Sequence, residues 1–247
     1  MDHAVVIIGG APPDPRAVAL VGSMSRLPSA SLSARDSMSG SLSASLSARG
    51  SAFVVAADSG LDHARALGLD VDLVVGDRDS VSPDALAWAE DRAIPVERFP
   101  VDKDATDTEL AVVAAIEHGA RHVVLLTGAG DRLDHVLSVV LLLGHPAFAS
   151  VVLEAWVGRA HLLRVLGPGT LVVPAAPGET VSLLPIGGPV HGITTTGLQY
   201  PLADETLAPA TSRGVSNVVA STVTPTVTPS VTVTQGTLLV IRPEALP

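Results

Sequence analysis

The chain has 247 residues, enough for one large domain or two smaller ones with a sizeable apolar core. Hydrophobic residues make up 47% but aromatics only 2%, so that core must be built from Ala, Val and Leu. A net charge of −10 argues against a nucleic-acid or anionic-membrane surface, while leaving open a nucleotide reached through a divalent cation; with no cysteine, disulfides and thiolate metal sites are excluded.

Ala4 to Ile8 reads as a buried strand closed by Gly9-Gly10 and a proline-bearing turn. Met1-Asp2-His3 lacks the basic start of a signal peptide, and no apolar run approaches the ~18 residues of a membrane span. A soluble, cytoplasmic protein is expected. Residues 23–51 form a Ser-rich, low-complexity insertion in which Ser29-Ala30-Ser31-Leu32-Ser33-Ala34-Arg35 recurs unaltered as Ser43-Ala44-Ser45-Leu46-Ser47-Ala48-Arg49.

The pattern then becomes regular. Strands are expected at 52–56, 71–75, 95–99 and 122–126, alternating with helices near 61–67, 83–93, 106–118 and from about 133 to Leu143. Such alternation implies a parallel sheet with helices on both faces, whose ligands bind outside the carboxyl ends of the strands. Beyond about residue 150 come short apolar runs at 151–153, 161–166, 170–173, 180–184 and 238–241, separated by Pro- and Gly-rich turns. They predict an antiparallel β-sandwich. The domain boundary is placed near Gly158, giving an α/β domain over 1–157 and a β-sandwich domain over 158–247. Within the latter, residues 222–234 form a Val-Thr-Pro tract in which Pro225 and Pro229 favour an edge strand or a loop.

The most charged stretch is Asp102-Lys103-Asp104-Ala105-Thr106-Asp107-Thr108-Glu109, with four carboxylates in eight residues and the chain's single lysine. Thr106 suits the N-cap of the helix that follows, and Glu109 stands at capping-box spacing. Helix N–H groups favour anions while clustered carboxylates favour a divalent cation, a combination suited to a metal–phosphate complex. Asp77 and Asp79 stand two apart after a strand, where extended geometry would put both side chains on one side; a turn would use the pair equally well. Arg132 and Asp134 follow a Gly-rich turn at a helix start. Arg132 suits bidentate contact with phosphate oxygens, and Asp134 a metal ligand, a base or a cap. His135 reads as an oriented or core histidine, and His63, His118 and His191 as surface or packing residues.

Together these segments resemble the thiamine pyrophosphokinase (thiamine diphosphokinase) family. The matching pieces are Ala57-Asp58-Ser59-Gly60, Gly76-Asp77-Arg78-Asp79-Ser80, Lys103 to Leu110 and Arg132-Leu133-Asp134-His135, followed by Gly197 to Leu202, Glu205-Thr206-Leu207 and Gly214-Val215-Ser216-Asn217. The resemblance implies transfer of a pyrophosphoryl group from ATP, as co-substrate, to the hydroxyethyl group of thiamine, releasing AMP. It further implies Mg²⁺ held by Asp77, Asp79 and Asp107, with Asp104, Thr106 and Arg132 near the phosphates and Asp58 and Asp134 in the same site. Asp107, Asp134 and Arg132 are the residues expected to act on the reaction, the base being either Asp134 or Asp107. Ser216 and Asn217 match the family's stretch near the thiamine ring, in homodimers whose thiamine pocket lies near the subunit interface. Neither nucleic acid nor membrane is an expected partner.

Ser59 and Asp131 stand where the family usually has glycine, and Arg78 replaces an apolar or aromatic residue between two aspartates. The insertion and the Val-Thr-Pro tract have no counterpart in the family pattern. Two other readings remain at this level: a diphosphokinase acting on a pterin alcohol, and a non-catalytic metal- or nucleotide-binding protein.

Overall fold

A computed structural model describes residues 2–24, 52–77, 79–99, 104–130, 132–221 and 228–246. Most of the Ser-rich insertion (25–51), Arg78, Asp102, Lys103, Asp131 and residues 222–227 of the Val-Thr-Pro tract lie outside the described residues. By their internal contacts, residues divide into one unit ending at Arg132 and a second beginning at Leu133.

The first unit alternates β1 (His3–Ile8), α1 (Pro15–Met24), β2 (Ala52–Ala57), α2 (Gly60–Ala66), β3 (Leu73–Val75), α3 (Pro83–Asp91), β4 (Val96–Glu97), α4 (Asp107–Glu117) and β5 (His122–Thr127). Its strands run β4-β3-β2-β1-β5, with His3 opposite both Ala52 and His122, and every described pairing is parallel. All but the two-residue β4 are runs rich in Val, Ile, Leu or Ala, and β1, β3 and β5 are buried almost without interruption. Unbroken burial means cover on both faces, as a parallel sheet requires. The chain steps outward from β1 through β2 and β3 to β4 and then returns to β1's other side with β5. That reversal places a crevice beyond the carboxyl ends of β1 and β5, where Gly128 N–H donates to Ala11 O at 2.9 Å.

Helix α1 was not anticipated by the sequence, which expects only a turn after Gly9-Gly10. Pro15 occupies the first helical position, where the missing N–H is harmless. Asp14 Oδ1 accepts the N–H of Arg16 at 2.9 Å and so fixes the helix start. Proline here opens a helix instead of closing a turn. On α3, Trp88 lies under the Arg92 guanidinium, 4.7 Å from the ring centroid.

The second unit opens with α5 (Leu133–Leu142) and a 3-10 turn (Pro146–Phe148). The rest is β6 (Val152–Val157), β7 (Ala160–Leu166), β8 (Gly169–Val172), β9 (Thr180–Thr196), β10 (Glu205–Leu207), β11 (Asn217–Val218), β12 (Ser230–Val233) and β13 (Gln235–Arg242). All pairings among these strands are antiparallel, in the order β6-β7-β13-β9-β12-β8, with β10 and β11 also on β9. The expected fold class, parallel α/β followed by antiparallel β, is the one observed. Gly158 sits in the hairpin turn between β6 and β7 with φ +56°.

Strand β9 is far longer than the short run expected at 180–184. Its residues 182–186 pair with β13, and after a register shift Thr194–Thr196 pair with β12. Alternate residues from both stretches, Val181, Leu183 and Ile193, meet Leu163, Leu238, Val240, Val231 and Val233 in one core. One strand thereby serves both layers of the sandwich. Ser230 to Val233 corrects the edge-strand expectation for the Val-Thr-Pro tract: β12 is an inner strand with partners on both sides. Pro229 stands just before the strand, so no ladder N–H is lost.

Half-buried Arg164 donates to the carbonyls of Leu143, Phe148 and Val151, tying down the segment that leads into β6. Trp156 stacks on His161 at 4.1 Å, and His161 Nε2 meets Glu154 Oε2 at 2.9 Å in the same buried cluster. No helix among the described residues is long and apolar enough to cross a membrane.

Where α2 starts against β1, a Cβ on Gly60 would sit 2.1 Å from Ile7 O and 2.8 Å from Ile7 C. Backbone on both sides leaves nothing to rotate away. Gly60→Ala is expected to lower the unfolding free energy by about 3 kcal/mol, the upper range for overpacking, read as a fall in the urea midpoint. An unchanged midpoint would show that β1 and α2 slide apart freely.

Candidate active site

The carboxyl ends of β2 and β3 bring aspartates together. Asp58 ends β2 in the left-handed region at φ +50°, a conformation Asp tolerates better than most residues, and its N–H donates to Val75 O at 2.8 Å. After β3 the chain turns at Gly76, and Asp77 Oδ1 accepts the N–H of Asp79 at 3.0 Å. This is a side-chain-closed turn, not continued strand. Asp58, Asp77 and Asp79 each offer a carboxylate oxygen, all within 4.8 Å of one another.

Asp107 stands beside them at the first turn of α4. A Cβ on Gly76 would meet Asp107 Oδ1 at 3.1 Å and Asp58 Cα at 3.4 Å, and the φ of +139° at Gly76 also favours glycine. Thr106 caps α4 as its sequence position predicts, its Oγ1 accepting Glu109 N–H at 3.2 Å. Asp104 lies exposed two residues ahead of that cap.

Crowding alters these acids. Burial, above all, pushes the Asp58 carboxyl above its usual range, and the charges of Asp107, Asp77 and Asp79 add to the rise, while the Ser80 hydroxyl opposes it. The charge of Asp77 is the main cause that raises Asp79. Asp58 Oδ2 accepts a hydrogen bond from Ser80 Oγ, whereas Oδ1 is buried with no hydrogen-bond partner. An orphaned oxygen amid carboxylates fits a hard, oxygen-seeking cation such as Mg²⁺.

Arg132 ends the first unit, with its N–H on Gly130 O at 3.2 Å, and Asp134 sits in the first turn of α5 in the second. Both are exposed. His135 is exposed on α5 as well, so it is not a core histidine. His118 stacks on Phe53 at 4.6 Å, His63 Nε2 lies 2.8 Å from Gly10 O and His191 Nδ1 lies 3.1 Å from Thr206 Oγ1, all packing roles as expected.

In the second unit, Asn217 lines a cavity of ≈ 280 Å³ together with Tyr200, Leu202, Arg213 and Val215, whereas Ser216 is not among its lining residues. Asn217, 3% exposed, accepts Tyr200 N–H at 3.1 Å and donates to Tyr200 O at 2.7 Å, so its amide pins the backbone below an aromatic ring that is 61% exposed. Ser216 adopts φ +57° with its N–H on Ser182 Oγ at 3.0 Å. Arg213 grips Glu205 through two hydrogen bonds of 2.7 and 2.6 Å, which hold the Glu205 carboxyl below its usual range. The sequence pointed to neither this pair nor the contact of Ser80 with Asp58. Asp58, Ser80 and Glu205 lie within the matched motifs and Arg213 just ahead of one, but nothing in a linear pattern marks which ones touch.

The family profile for the thiamin pyrophosphokinase catalytic domain matches residues 45–153, and that for the thiamin pyrophosphokinase vitamin B1 binding domain matches residues 170–236. The chain belongs to the thiamin pyrophosphokinase family. The thiamine pyrophosphokinase of Bacillus subtilis is 23% identical over 163 residues, 64% of this chain and 76% of that protein. The fold is also that of the Bacillus subtilis thiamine pyrophosphokinase crystal structure, with TM-score 0.74, 20% identity and coverage of 98% of this chain and 100% of that one. The Geobacillus thermodenitrificans thiamin pyrophosphokinase structure gives 0.69 at 24% identity, over 97% and 96%. The yeast thiamin pyrophosphokinase structure still gives 0.66 at 13%, over 97% and 86%.

A raised carboxylate pKa means the folded chain binds that proton more tightly than the unfolded chain. Stability then falls as pH rises from the ordinary aspartate value, about 3.8, through the higher native value. At neutral pH without divalent cations, ionised Asp58 therefore works against the fold. Asp58→Asn, which also tolerates the positive φ, is expected to raise the thermal midpoint at pH 7. That gain should shrink as the pH is lowered through the native Asp58 titration towards 4. A midpoint difference independent of pH would rule out the electrostatic cause.

Proposed function

We propose that this chain is a thiamine diphosphokinase, transferring the pyrophosphoryl group of ATP to the hydroxyethyl oxygen of thiamine to give thiamine diphosphate and AMP. The observation that carries the reading is the trio of Asp58, Asp77 and Asp79 at the ends of β2 and β3, in a chain matched by both family profiles. Mg²⁺ would be held by Asp77, Asp79 and Asp107, with Asp58 joining them through its unpartnered oxygen. When bound it would neutralise the charge on the polyphosphate.

The chain's own residues do the rest. Alcohol attack on phosphorus calls for positioning and charge neutralisation more than covalent help. The positive end of the Thr106-capped helix α4 favours phosphate oxygens, with Asp104 close by in the chain. Arg132 supplies a planar pair of donors for a second phosphate contact. Asp134 or Asp107 orients the attacking hydroxyl and accepts its proton.

The cavity lined by Asn217 takes the thiamine ring, with Ser216 next to it in the chain. Tyr200 gives it an aromatic face suited to a flat cation, and Glu205 neutralises Arg213, so that cation meets no net repulsion there. The working unit is a cytoplasmic homodimer with its active site near the subunit interface.

Incubated with thiamine and Mg-ATP, the chain is expected to yield thiamine diphosphate and AMP, identified by mass. Thiamine monophosphate with ADP would mean attack on the terminal phosphorus and would sink this reading. Asp107→Asn is expected to lower turnover by about 100-fold or more, the scale of losing one strong electrostatic contributor, with the circular dichroism spectrum unchanged. Near-normal turnover at saturating Mg²⁺ would exclude a role for Asp107 in holding the cation.

A further inference from the structure

The loop from Gly76 to Ser82 is fastened to the beginning of α2 by two hydroxyl–carboxylate contacts that run side by side. Ser80 Oγ donates to Asp58 Oδ2, and Ser82 Oγ donates to Asp62 Oδ1. The backbone N–H of Ser82 reinforces the second contact, donating to Asp62 Oδ2 at 3.1 Å. The acceptors stand four residues apart and the donors two apart.

The two contacts differ in what lies beyond them. Ser82 also accepts the N–H of Ala85 at 3.2 Å as the cap of α3, and Asp62 is not one of the clustered acids. That contact fastens loop to helix. Asp58, by contrast, belongs to the trio, and its other oxygen is buried without a hydrogen-bond partner.

We propose that Ser80 is a positioning residue for divalent-cation binding, its hydroxyl taking one oxygen of Asp58 so that the other is left for the cation. This inference rests on the cation reading given above. The terminal torsion of an aspartate is broad and roughly two-fold, so an untethered carboxylate presents either oxygen at a range of angles. A hydroxyl on Oδ2 removes that freedom before the cation arrives. Among like charges, an unfixed carboxylate would also turn away from its neighbours; the tether holds it in place. Ser80 is exposed, so its removal opens no cavity in the core. Loss of such an outer partner typically weakens metal binding by about 10- to 100-fold.

The test is Mn²⁺ binding to the full chain without nucleotide, followed by the electron paramagnetic resonance signal of free Mn²⁺. Ser80→Ala is expected to weaken binding by about tenfold or more while leaving the thermal midpoint of the cation-free protein nearly unchanged. Ser80→Thr keeps the hydroxyl and should restore most of the affinity. Ser82→Ala should do the reverse of Ser80→Ala, lowering the midpoint while sparing Mn²⁺ affinity. Wild-type affinity in Ser80→Ala would overturn the role of Ser80 alone. An equal loss in Ser82→Ala would do the same, by reducing both contacts to general fastening. A wild-type chain that binds no Mn²⁺ would overturn the cation reading and this inference together.

Discussion

Like charges held close together are the constraint on which the first unit depends. Asp58, Asp77 and Asp79 keep an oxygen each within 4.8 Å of the others, with Asp107 alongside. Left to themselves, such groups would separate or take up protons, and the upward shifts of Asp58 and Asp79 express the second tendency. The scaffold resists the first. Asp58 follows directly on buried β2, Asp77 closes its own turn onto Asp79, and Asp107 is fixed in the first turn of a capped helix. A negative side chain is stabilised in that last position by the helix dipole, offsetting part of the crowding. The arrangement costs stability for as long as its charges stand uncompensated.

The second unit meets a different demand. A cavity wall needs a rigid backing, and the chain has few aromatic residues to build it. Its answer is hydrogen bonding: Asn217 is buried and gives its amide to the backbone of Tyr200, while Thr195 Oγ1 accepts Leu202 N–H at 2.8 Å on the next turn of the same wall. Because β9 serves both layers, the strands behind that wall share one ladder and one core of valine and leucine. Packing of small aliphatic residues supplies the mass, and a few buried polar groups supply the shape.

What could be read from the sequence was what depends on near neighbours. The Thr106 cap and the alternation of strands with helices follow from spacing alone, and both were legible. Asp77 and Asp79 were legible as a pair, though the turn that joins them was only one of two options. Asp58 was assigned to the site by family resemblance alone, because its approach to the pair depends on a positive φ and on Ser80, which is 22 residues away. Helix α1 was missed because Pro15 reads as a breaker unless the cap before it is recognised. Strand β12 was underrated because Pro229 was counted inside the strand when it stands just ahead of it. The extent of β9 was hidden by Gly187-Gly188-Pro189, which bends the strand without ending it.

The scarcity of aromatic residues has an optical consequence. Only two tryptophans are present, and they fall one to a unit: Trp88 on α3, half-buried under a guanidinium, and Trp156 on β6, buried against an imidazole. Their surroundings are so unlike that a red-shifted and a blue-shifted emission belong to separate halves of the chain. Replacing either indole with phenylalanine leaves a protein whose ultraviolet fluorescence comes essentially from a single unit. Changes in each unit could then be followed as two separate signals from the same polypeptide, with no dye attached.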